Sequence, residues 1–208
     1  MENHKAGFVN IIGKPNVGKS TLMNALVGEK LSIITSKSQT TRHRINGIIN
    51  GDDFQIVYSD TPGIILNPAY KLQESMNNFV SGTLEDADVI LFITDIYETE
   101  EDEPVDTLNK LKHIEVPKIL LINKTDLDKE KKEDEIIAHW KSKDIFDHII
   151  PISALHKINV DILFGIILQN IPVHAPFYSK DDITDKPERF FMSEIIREKI
   201  LKNYKKEI

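Results

Sequence analysis

Short apolar runs alternate along the chain with segments whose apolar residues recur every three or four positions. Six β-strands are predicted, at residues 7–12, 45–49, 54–58, 89–94, 118–122 and 149–152. Helices are predicted over residues 19–27, 72–84, 105–111, 131–141 and 160–169. This alternation indicates an α/β fold, with helices on both faces of a six-stranded, mostly parallel sheet. The hairpin of the second and third strands adds one antiparallel edge strand.

The pattern changes after residue 170. Residues 171–187 contain three prolines and no apolar period, which indicates an extended linker. Helical spacing returns over residues 188–208, where one apolar face is formed by Met192, Ile195, Ile196, Ile200 and Tyr204. We therefore expect three units, at residues 1–170, 171–187 and 188–208. The terminal helix should fray, pack against the first unit or meet a neighbouring molecule, because its apolar face has no obvious partner.

The composition is typical of a water-soluble globular protein, with 208 residues, 40% hydrophobic and 28% charged, and no cysteine. No apolar run approaches the thickness of a bilayer, and the first residues lack a secretory signal, so we expect a cytoplasmic protein. The net charge of −7 argues against a protein that binds nucleic acid by charge alone. The acidic run at residues 98–103 is predicted to be a solvated loop that leads into a helix.

Residues 13–20, GKPNVGKS, follow a predicted strand, open a predicted helix and fit the phosphate-binding pattern G-x-x-x-x-G-K-S/T. Gly13 and Gly18 permit backbone angles that turn successive N–H groups toward an anion, and the helix N-terminus adds its positive dipole. Lys19 should reach the β- and γ-phosphates, and Ser20 should ligate Mg²⁺. The rest of this predicted nucleotide loop consists of Lys14, Pro15, Asn16, Val17 and Thr21, the last placed to contact the α-phosphate.

Residues 60–63, DTPG, follow the strand-like run before them and give a second phosphate-side motif. Asp60 is expected to act on Mg²⁺ through a water, and Gly63 to offer its N–H to the γ-phosphate. Many phosphate-cleaving switch proteins place a glutamine after this glycine, where it orients the attacking water. Ile64 stands here instead, and its side chain can neither orient a water nor stabilise charge. The sequence therefore raises the question of what drives hydrolysis.

Two further motifs, NKTD at residues 123–126 and SAL at residues 153–155, each follow an apolar strand. Asp126 can accept both the N1–H and the 2-amino group of guanine, a pair that adenine lacks, so guanine recognition is expected. Asn123 should brace the base and the neighbouring loops, and the stem of Lys124 should lie over the ring. A backbone N–H for the base oxygen is expected from the segment Ser153, Ala154 and Leu155.

These four motifs, in this order, resemble the Ras-like GTPases. Two longer strings are similar to the Era family of bacterial GTPases: switch I, SKSQTTRHRINGI, at residues 36–48, and TDKPERFFMSEIIREKILKNYKKEI at residues 184–208. The resemblance implies a P-loop NTPase fold and a GTP-binding, slowly GTP-hydrolysing switch that acts in small ribosomal subunit assembly and ribosomal RNA maturation. It also implies that a switch I threonine ligates Mg²⁺. Of Thr40 and Thr41 we favour Thr41, which directly precedes an arginine.

The resemblance also suggests an answer to the missing glutamine. In relatives with a hydrophobic residue at that position, the P-loop asparagine and switch I carbonyls can hold a K⁺ ion, whose charge replaces an arginine finger. Asn16 is the matching residue, although it can instead serve only the turn geometry of the loop. The expected catalytic residues are therefore Asn16, Lys19, Thr41 and Gly63, and the expected metal-site residues are Ser20, Thr41 and Asp60.

Members of the Era family continue into a KH domain, whose G-x-x-G loop clamps single-stranded RNA. No such loop follows residue 170 here, so we expect a KH domain truncated to its first helix and RNA binding that is mostly lost. The partners implied are guanine nucleotide and, in the family, the small ribosomal subunit and its RNA. The resemblance also raises peripheral association with the inner face of the cell membrane. A monomer is expected.

Three alternatives remain open at this point. The chain can be the G domain of a related tRNA-modification or ribosome-assembly GTPase, although residues 184–208 argue against this. It can be a GTP-regulated binding module with negligible turnover, because the binding motifs do not report on hydrolysis. A P-loop ATPase or kinase is the third alternative, and Asp126 argues against it.

Overall fold

The computed structural model describes residues 3–35, 40–41, 43–64, 82, 84–100 and 103–204. The strands are β1 (Lys5–Gly13), β2 (Ile45–Asn50), β3 (Phe54–Asp60), β4 (Val89–Asp95), β5 (Lys118–Asn123) and β6 (His148–Pro151). The helices are α1 (Lys19–Val27), α2 (Val105–Lys112), α3 (Glu133–Ser142), α4 (Val160–Asn170) and α5 (Glu188–Asn203). The helix predicted over residues 72–84 lies almost entirely outside the described residues.

The six strands form one sheet in the order β2-β3-β1-β4-β5-β6. The pairs from β3 to β6 are parallel, and only the edge strand β2 runs antiparallel to its neighbour β3. The predicted fold class is therefore confirmed. Because parallel strands present their carboxyl ends at one edge of the sheet, the loops after β1, β3, β5 and β6 all open on the same side.

A separate apolar core covers each face of the sheet. Alternate residues of β4 show the division: Leu91 packs in the core that contains residues of α1 and α4, whereas Phe92 packs in the core with residues of α2 and α3. This alternation is the period of two of a β-strand. The buried faces fix the register of the strands and so hold their carboxyl ends in place.

The segment of residues 171–187, predicted to be an extended linker, crosses the edge of the sheet. The side chain of Gln55 in β3 accepts a hydrogen bond from the Phe177 N–H at 2.7 Å. At the outer edge of β2, the Ile48 N–H donates to the Ile183 carbonyl at 2.9 Å. The segment therefore covers the edge strand, whose N–H and C=O groups otherwise face water.

Helix α5 packs against the sheet domain, which is one of the three outcomes expected from the sequence. The face that makes the contact is not the predicted one. Glu198 and Leu201 are buried, at 2% and 4% exposure. Most of the predicted apolar face is exposed instead, at 64%, 50%, 61% and 58% for Met192, Ile195, Ile196 and Tyr204. The amphipathic pattern alone thus gave the wrong contact face, because a buried glutamate takes part in the packing.

Among the described residues, no helix combines the length and the apolar character needed to cross a bilayer.

Candidate nucleotide-binding site

Three of the four predicted motifs contribute to a cavity of about 320 Å³ at the carboxyl ends of the strands, and the SAL motif does not line it. The loop of residues 13–20 joins β1 to α1, and the DTPG motif begins at the last residue of β3. The NKTD motif begins at the last residue of β5. The cavity is lined by residues of three motifs and of switch I, among them Pro15, Asn16, Gly18, Lys19, Ser20, Thr21, Thr40, Thr41, Gly63 and Lys124.

Two glycines of the phosphate-binding loop have backbone angles that other residues rarely adopt. Gly13 has φ +151°, and a β-carbon there would collide with the carbonyl of Ile93 in β4. Gly18 has φ +107°, and a β-carbon there would collide with the side chain of Asn123. Asn16 has φ +65°, a left-handed conformation that asparagine tolerates better than most residues. Glycine is therefore required where this loop meets the sheet and the base motif.

Lys19 is buried in the cavity wall, at 6% exposure, with its Nζ donating to the Lys14 carbonyl at 2.6 Å. Burial lowers the pKa of Lys19 to about 8, although the nearby carboxylates of Asp60 and Glu98 act in the opposite direction. A buried ammonium group with a lowered pKa is poorly compensated. An anion in the cavity, such as a phosphate, would supply the missing charge.

Three oxygen-bearing side chains converge beside Lys19. The Ser20 hydroxyl donates to Asp60 Oδ2 at 2.7 Å, and Thr41 Oγ1 lies 3.0 Å from Ser20 Oγ and 3.3 Å from Asp60 Oδ2. Thr40 Oγ1 bonds instead to Thr35 Oγ1. Burial raises the pKa of Asp60, against the hydrogen bonds from the Ser20, Ser32 and Thr41 hydroxyls and the charge of Lys19. Its Oδ1 is buried without a hydrogen-bond partner among the described residues.

This oxygen cluster fits a magnesium ion. Mg²⁺ takes oxygen ligands at about 2.0–2.1 Å in an octahedron, so adjacent ligands lie about 3 Å apart. The 3.0 Å between Ser20 Oγ and Thr41 Oγ1 matches that spacing. Asp60 lies within hydrogen-bond distance of both hydroxyls, where its carboxylate, including the unpaired Oδ1, could accept from a water on the ion, and the charge of the ion would favour the ionised carboxylate.

Asn123, which precedes the cavity-lining Lys124, connects three loops. It is buried, at 3% exposure. Its Nδ2 donates to the Val17 carbonyl in the phosphate-binding loop at 2.7 Å, and its Oδ1 accepts from the Ala154 N–H at 2.9 Å. The predicted bracing of neighbouring loops is present in this geometry. Ser153 is fully buried and Leu155 is 72% exposed, so the segment SAL turns outward at the rim.

Asp95, the last residue of β4, and Tyr97 just beyond it contact Lys124, although neither belongs to a motif in the sequence. Asp95 Oδ2 accepts from Lys124 Nζ at 2.5 Å, and that Nζ also lies 5.8 Å from the centre of the Tyr97 ring. At the rim of the cavity, His156 Nε2 lies 3.5 Å from Asp126 Oδ2. The only available sequence signal for Asp95 was its position at the carboxyl end of a central strand, where ligands bind in this fold.

The prediction of a solvated acidic loop at residues 98–103 is wrong for its described ends. The Glu98 side chain is 15% exposed and pairs with Lys14 Nζ at 3.2 Å. Burial raises the pKa of Glu98, although hydrogen bonding to Thr94 acts to lower it. The Glu103 side chain is 9% exposed and pairs with Lys143 at 2.6 Å. Cationic partners that are distant in sequence bring these carboxylates inside.

Ile64, the residue in place of the usual glutamine, belongs to an apolar core and is 6% exposed. Its N–H donates to the Gly13 carbonyl at 3.0 Å, so the chain after DTPG is fixed to the phosphate-binding loop. A β-carbon on Gly63 would lie 2.6 Å from the Pro15 nitrogen, which explains the need for glycine there. The side chain of Ile64 thus packs in the apolar core and is not among the residues that line the cavity.

A phosphate-binding loop after β1, an oxygen cluster beside it and an Asn-Lys-x-Asp motif after β5 define a P-loop nucleotide-binding protein of the GTPase class. The family described as 50S ribosome-binding GTPase matches residues 8–124. GTPase Era of Alkaliphilus metalliredigens is 43% identical over 208 residues, which cover 99% of this chain and 70% of that protein. The chloroplastic GTPase ERA1 of Zea mays is 42% identical and is covered to 50% of its length.

Solved structures agree with these similarities. Era in complex with MgGDPNP and nucleotides 1506–1542 of 16S ribosomal RNA has a TM-score of 0.90 and 40% identity, over 99% of this chain and 70% of that one. A variant of Aquifex aeolicus Era bound to GDP and AlF4⁻ has a TM-score of 0.87 and 40% identity, over 98% of this chain and 69% of that one. The chain belongs to the Era family of GTPases.

Proposed function

We propose that this chain binds GTP with Mg²⁺, hydrolyses it slowly and acts through this switch in assembly of the small ribosomal subunit. The observation that carries the proposal is one cavity that joins a phosphate end to a base end. At the phosphate end, Lys19, Ser20 and Thr41 line the cavity and Asp60 accepts from Ser20. At the base end, Lys124 lines the cavity and the neighbouring Asn123 ties the base motif to the phosphate-binding loop. A magnesium nucleotide would use both ends, because its phosphates and metal need the first and its base needs the second.

At the phosphate end, Lys19 would contact the β- and γ-phosphates, and Gly63 would offer its N–H to the γ-phosphate. Ser20 and Thr41 would ligate Mg²⁺ directly and Asp60 through a water. Mg²⁺ supplies positive charge that neutralises the phosphates as the transferred group leaves. The position of Thr41 beside Ser20 supports Thr41, rather than Thr40, as the switch I ligand.

At the base end, Asp126 would accept two hydrogen bonds from guanine and Lys124 would lie over the ring. The ion pair of Lys124 with Asp95 supports this arrangement, because it holds the lysine stem at the cavity wall. A backbone N–H from residues 153–155 to the base oxygen stays a prediction. The Ala154 N–H already donates to Asn123 in this structure.

The likeness to Era bound to 16S ribosomal RNA supports the small subunit as the site of action. The broader family description names the 50S subunit. We favour the small subunit, because the similarity to Era extends over 99% of the chain whereas the family match stops at residue 124. Peripheral membrane association and a monomeric state stay predictions.

For hydrolysis we propose that Asn16 holds K⁺ over the phosphates, because Ile64 is buried and cannot assist. The left-handed backbone of Asn16 supports the simpler alternative, in which asparagine is needed only for the turn. Two variants separate these roles. Asn16→Gly keeps the backbone freedom but removes the side chain, and Asn16→Ala removes both.

The test is multiple-turnover GTP hydrolysis with Mg²⁺ in KCl and NaCl at equal ionic strength. We expect turnover that is at least about tenfold faster in KCl, because a bound cation supplies transition-state charge. Both Asn16 variants should lose this difference. A KCl effect that survives in Asn16→Gly would refute the cation role of the side chain. GTP binding without turnover in either salt would instead favour the alternative of a binding module.

A further inference from the structure

Helix α5 touches the nucleotide switch as well as the sheet domain. Arg197 Nη1 donates to the Thr40 carbonyl in switch I at 2.7 Å. The Phe190 ring meets the His43 ring edge to face, with 6.4 Å between their centres. Both contacts join residues that are more than 140 positions apart in the sequence. The helix therefore reaches the described part of switch I at two points.

A third contact fixes α5 to the chain that leads into switch I. Lys30 Nζ donates to Glu198 Oε2 at 2.6 Å, and Lys202 donates to the other carboxylate oxygen at 2.9 Å. Glu198 is 2% exposed. Burial acts to raise its pKa, but the hydrogen bonds from the two lysines outweigh burial and lower the pKa to about 2. A buried carboxylate is strongly unfavourable without its partners, so this double pairing fixes the position of the helix.

The contact of Arg197 lies one residue from the oxygen cluster. Thr40 is held from one side by Arg197, through its carbonyl, and from the other by Thr35, through its hydroxyl. The next residue, Thr41, places its Oγ1 at 3.0 Å from Ser20 Oγ. A shift of the Thr40 carbonyl therefore carries Thr41 with it. The Arg197 side chain is 18% exposed and also meets Glu194 at 3.2 Å, which limits its rotation.

We propose that Arg197 is a positioning residue for Thr41, so that docking of α5 and binding of the magnesium triphosphate stabilise each other. The inference rests on the proposed role of Thr41 as a magnesium ligand. In GTPase switches the contacts of the γ-phosphate and Mg²⁺ order switch I, so the effect should be specific to the triphosphate state. GDP, which the Lys19 loop and base motif hold, should be much less sensitive.

The primary experiment measures binding of fluorescent GDP and of a fluorescent, non-hydrolysable GTP analogue to the full chain, over a range of Mg²⁺ concentrations. Arg197→Ala should lower the affinity for the GTP analogue about fivefold to tenfold and raise the Mg²⁺ concentration needed for half-saturation. GDP affinity should change less than about twofold. Arg197→Lys keeps a charged donor and should recover part of the loss. Lys199→Ala removes an equal charge from an exposed position on the same helix and should change neither affinity.

Thr41→Ala is the reference variant that separates the metal role of Thr41 from the positioning role of Arg197. If Thr41→Ala lowers the affinity for the analogue and Arg197→Ala does not, the positioning role is refuted and the proposed metal site stands. If Thr41→Ala has no effect on the Mg²⁺ dependence, the metal role of Thr41 fails, and the positioning role fails with it. Equal weakening of GDP and of the analogue by Arg197→Ala would also refute the inference, because it would indicate a general structural role.

Hydrogen exchange of the α5 amides gives a second readout that does not depend on a variant. Coupling between two sites is reciprocal, so the ligand that needs Thr41 must also strengthen helix docking. The amides of α5 should exchange about fivefold to tenfold more slowly with Mg²⁺ and the GTP analogue than with Mg²⁺ and GDP. Identical exchange in both states would overturn the proposal.

Discussion

At the base end of the cavity, Asn123 has both its amide nitrogen and its amide oxygen hydrogen-bonded to neighbouring loops. At the metal end, Asp60 keeps a buried oxygen without a partner among the described residues, and burial raises its pKa. Lys19 beside it has a lowered pKa. The hydrogen bonds of Asn123 at the base end are thus already formed in the free protein. At the metal end, Asp60 and Lys19 are buried with incomplete compensation, which a magnesium nucleotide could provide.

This difference suggests how a switch protein divides its site. A base end whose hydrogen bonds are already formed needs no rearrangement on binding and would anchor GTP and GDP equally. An incomplete metal end makes the free energy of the protein depend on what occupies it, and the γ-phosphate and Mg²⁺ can then bias switch I. Removing the Asn123 amide should therefore destabilise the free protein, whereas removing the Asp60 charge should stabilise it.

The largest effect on stability is expected from Asn123→Ala. This change leaves the Val17 carbonyl and the Ala154 N–H without their partner, and each such loss costs about 1–3 kcal/mol. We expect the free energy of unfolding to fall by about 3 kcal/mol. The measurement is urea unfolding of the free protein. Asn109→Ala, at an exposed position of α2, is the control and should change stability by less than about 0.5 kcal/mol.

Lys19→Ala tests the metal end through affinity. Lys19 would make charged hydrogen bonds to two phosphates, each contributing about 1.5–3 kcal/mol, so GTP affinity should fall at least about 100-fold. Titration calorimetry with GDP and a GTP analogue gives the affinities. Lys112→Ala removes the same charge from an exposed position and should have no effect. Affinity within about twofold of wild type would remove Lys19 from the site.

The lowered pKa of Lys19 predicts a pH dependence. Phosphate favours the protonated lysine, so above pH 8 binding must take up a proton, and GTP affinity should fall about tenfold between pH 7 and pH 9. In Lys19→Arg, whose side chain stays charged, this loss should disappear even if affinity is lower overall.

The stability of the free protein should depend on pH in the opposite direction. Unfolded Lys19 binds more protons between pH 8 and 10.5, so this residue makes the free energy of unfolding rise with pH there.

Asp60→Asn should give the smallest change in the free energy of unfolding, and this change should be a stabilisation. Replacing this carboxylate with an amide removes the cost of its burial but also its attraction to buried Lys19. Because burial is the largest influence on the pKa of Asp60, we expect a net stabilisation of the free protein by about 1 kcal/mol at neutral pH. The same change removes a charge that Mg²⁺ requires, so stabilisation by Mg²⁺ and GTP should be lost. Denaturant unfolding with and without the ligand measures both. A destabilised free protein would show that the carboxylate is better compensated than its contacts indicate.

The sequence predicted the sheet and the position of each motif, because these depend on local signals. Apolar periodicity set the strands, and glycines marked loops such as that of Gly13, where only glycine fits against β4. Most ends of the elements moved by one or two residues: the helix predicted over residues 131–141 is α3, Glu133–Ser142. The terminal helix, predicted to continue from residue 188 to residue 208, ends at Asn203, and Tyr204 is extended. Such ends depend on caps and tertiary contacts that periodicity does not report.

What the sequence missed depends on partners distant along the chain. Glu98 lies in an acidic run that indicates a solvated loop, yet Lys14 brings its carboxylate inside. Glu198 lies on the polar side of its helix, yet Lys30 makes that side the buried one. Neither pairing leaves a local signal, because each couples charges whose proximity exists only after folding. These two carboxylates adjoin the phosphate-binding loop and the chain that leads into switch I.

The most direct test of the difference between the two ends is a paired measurement of unfolding free energy for Asn123→Ala and Asp60→Asn. Each variant is compared with wild type, free and with saturating Mg²⁺ and a GTP analogue. We predict that free Asn123→Ala is less stable than wild type, that free Asp60→Asn is more stable, and that the ligand no longer stabilises Asp60→Asn. If both free variants lose stability to the same extent, the metal end is already complete without its ligand, and the account is wrong.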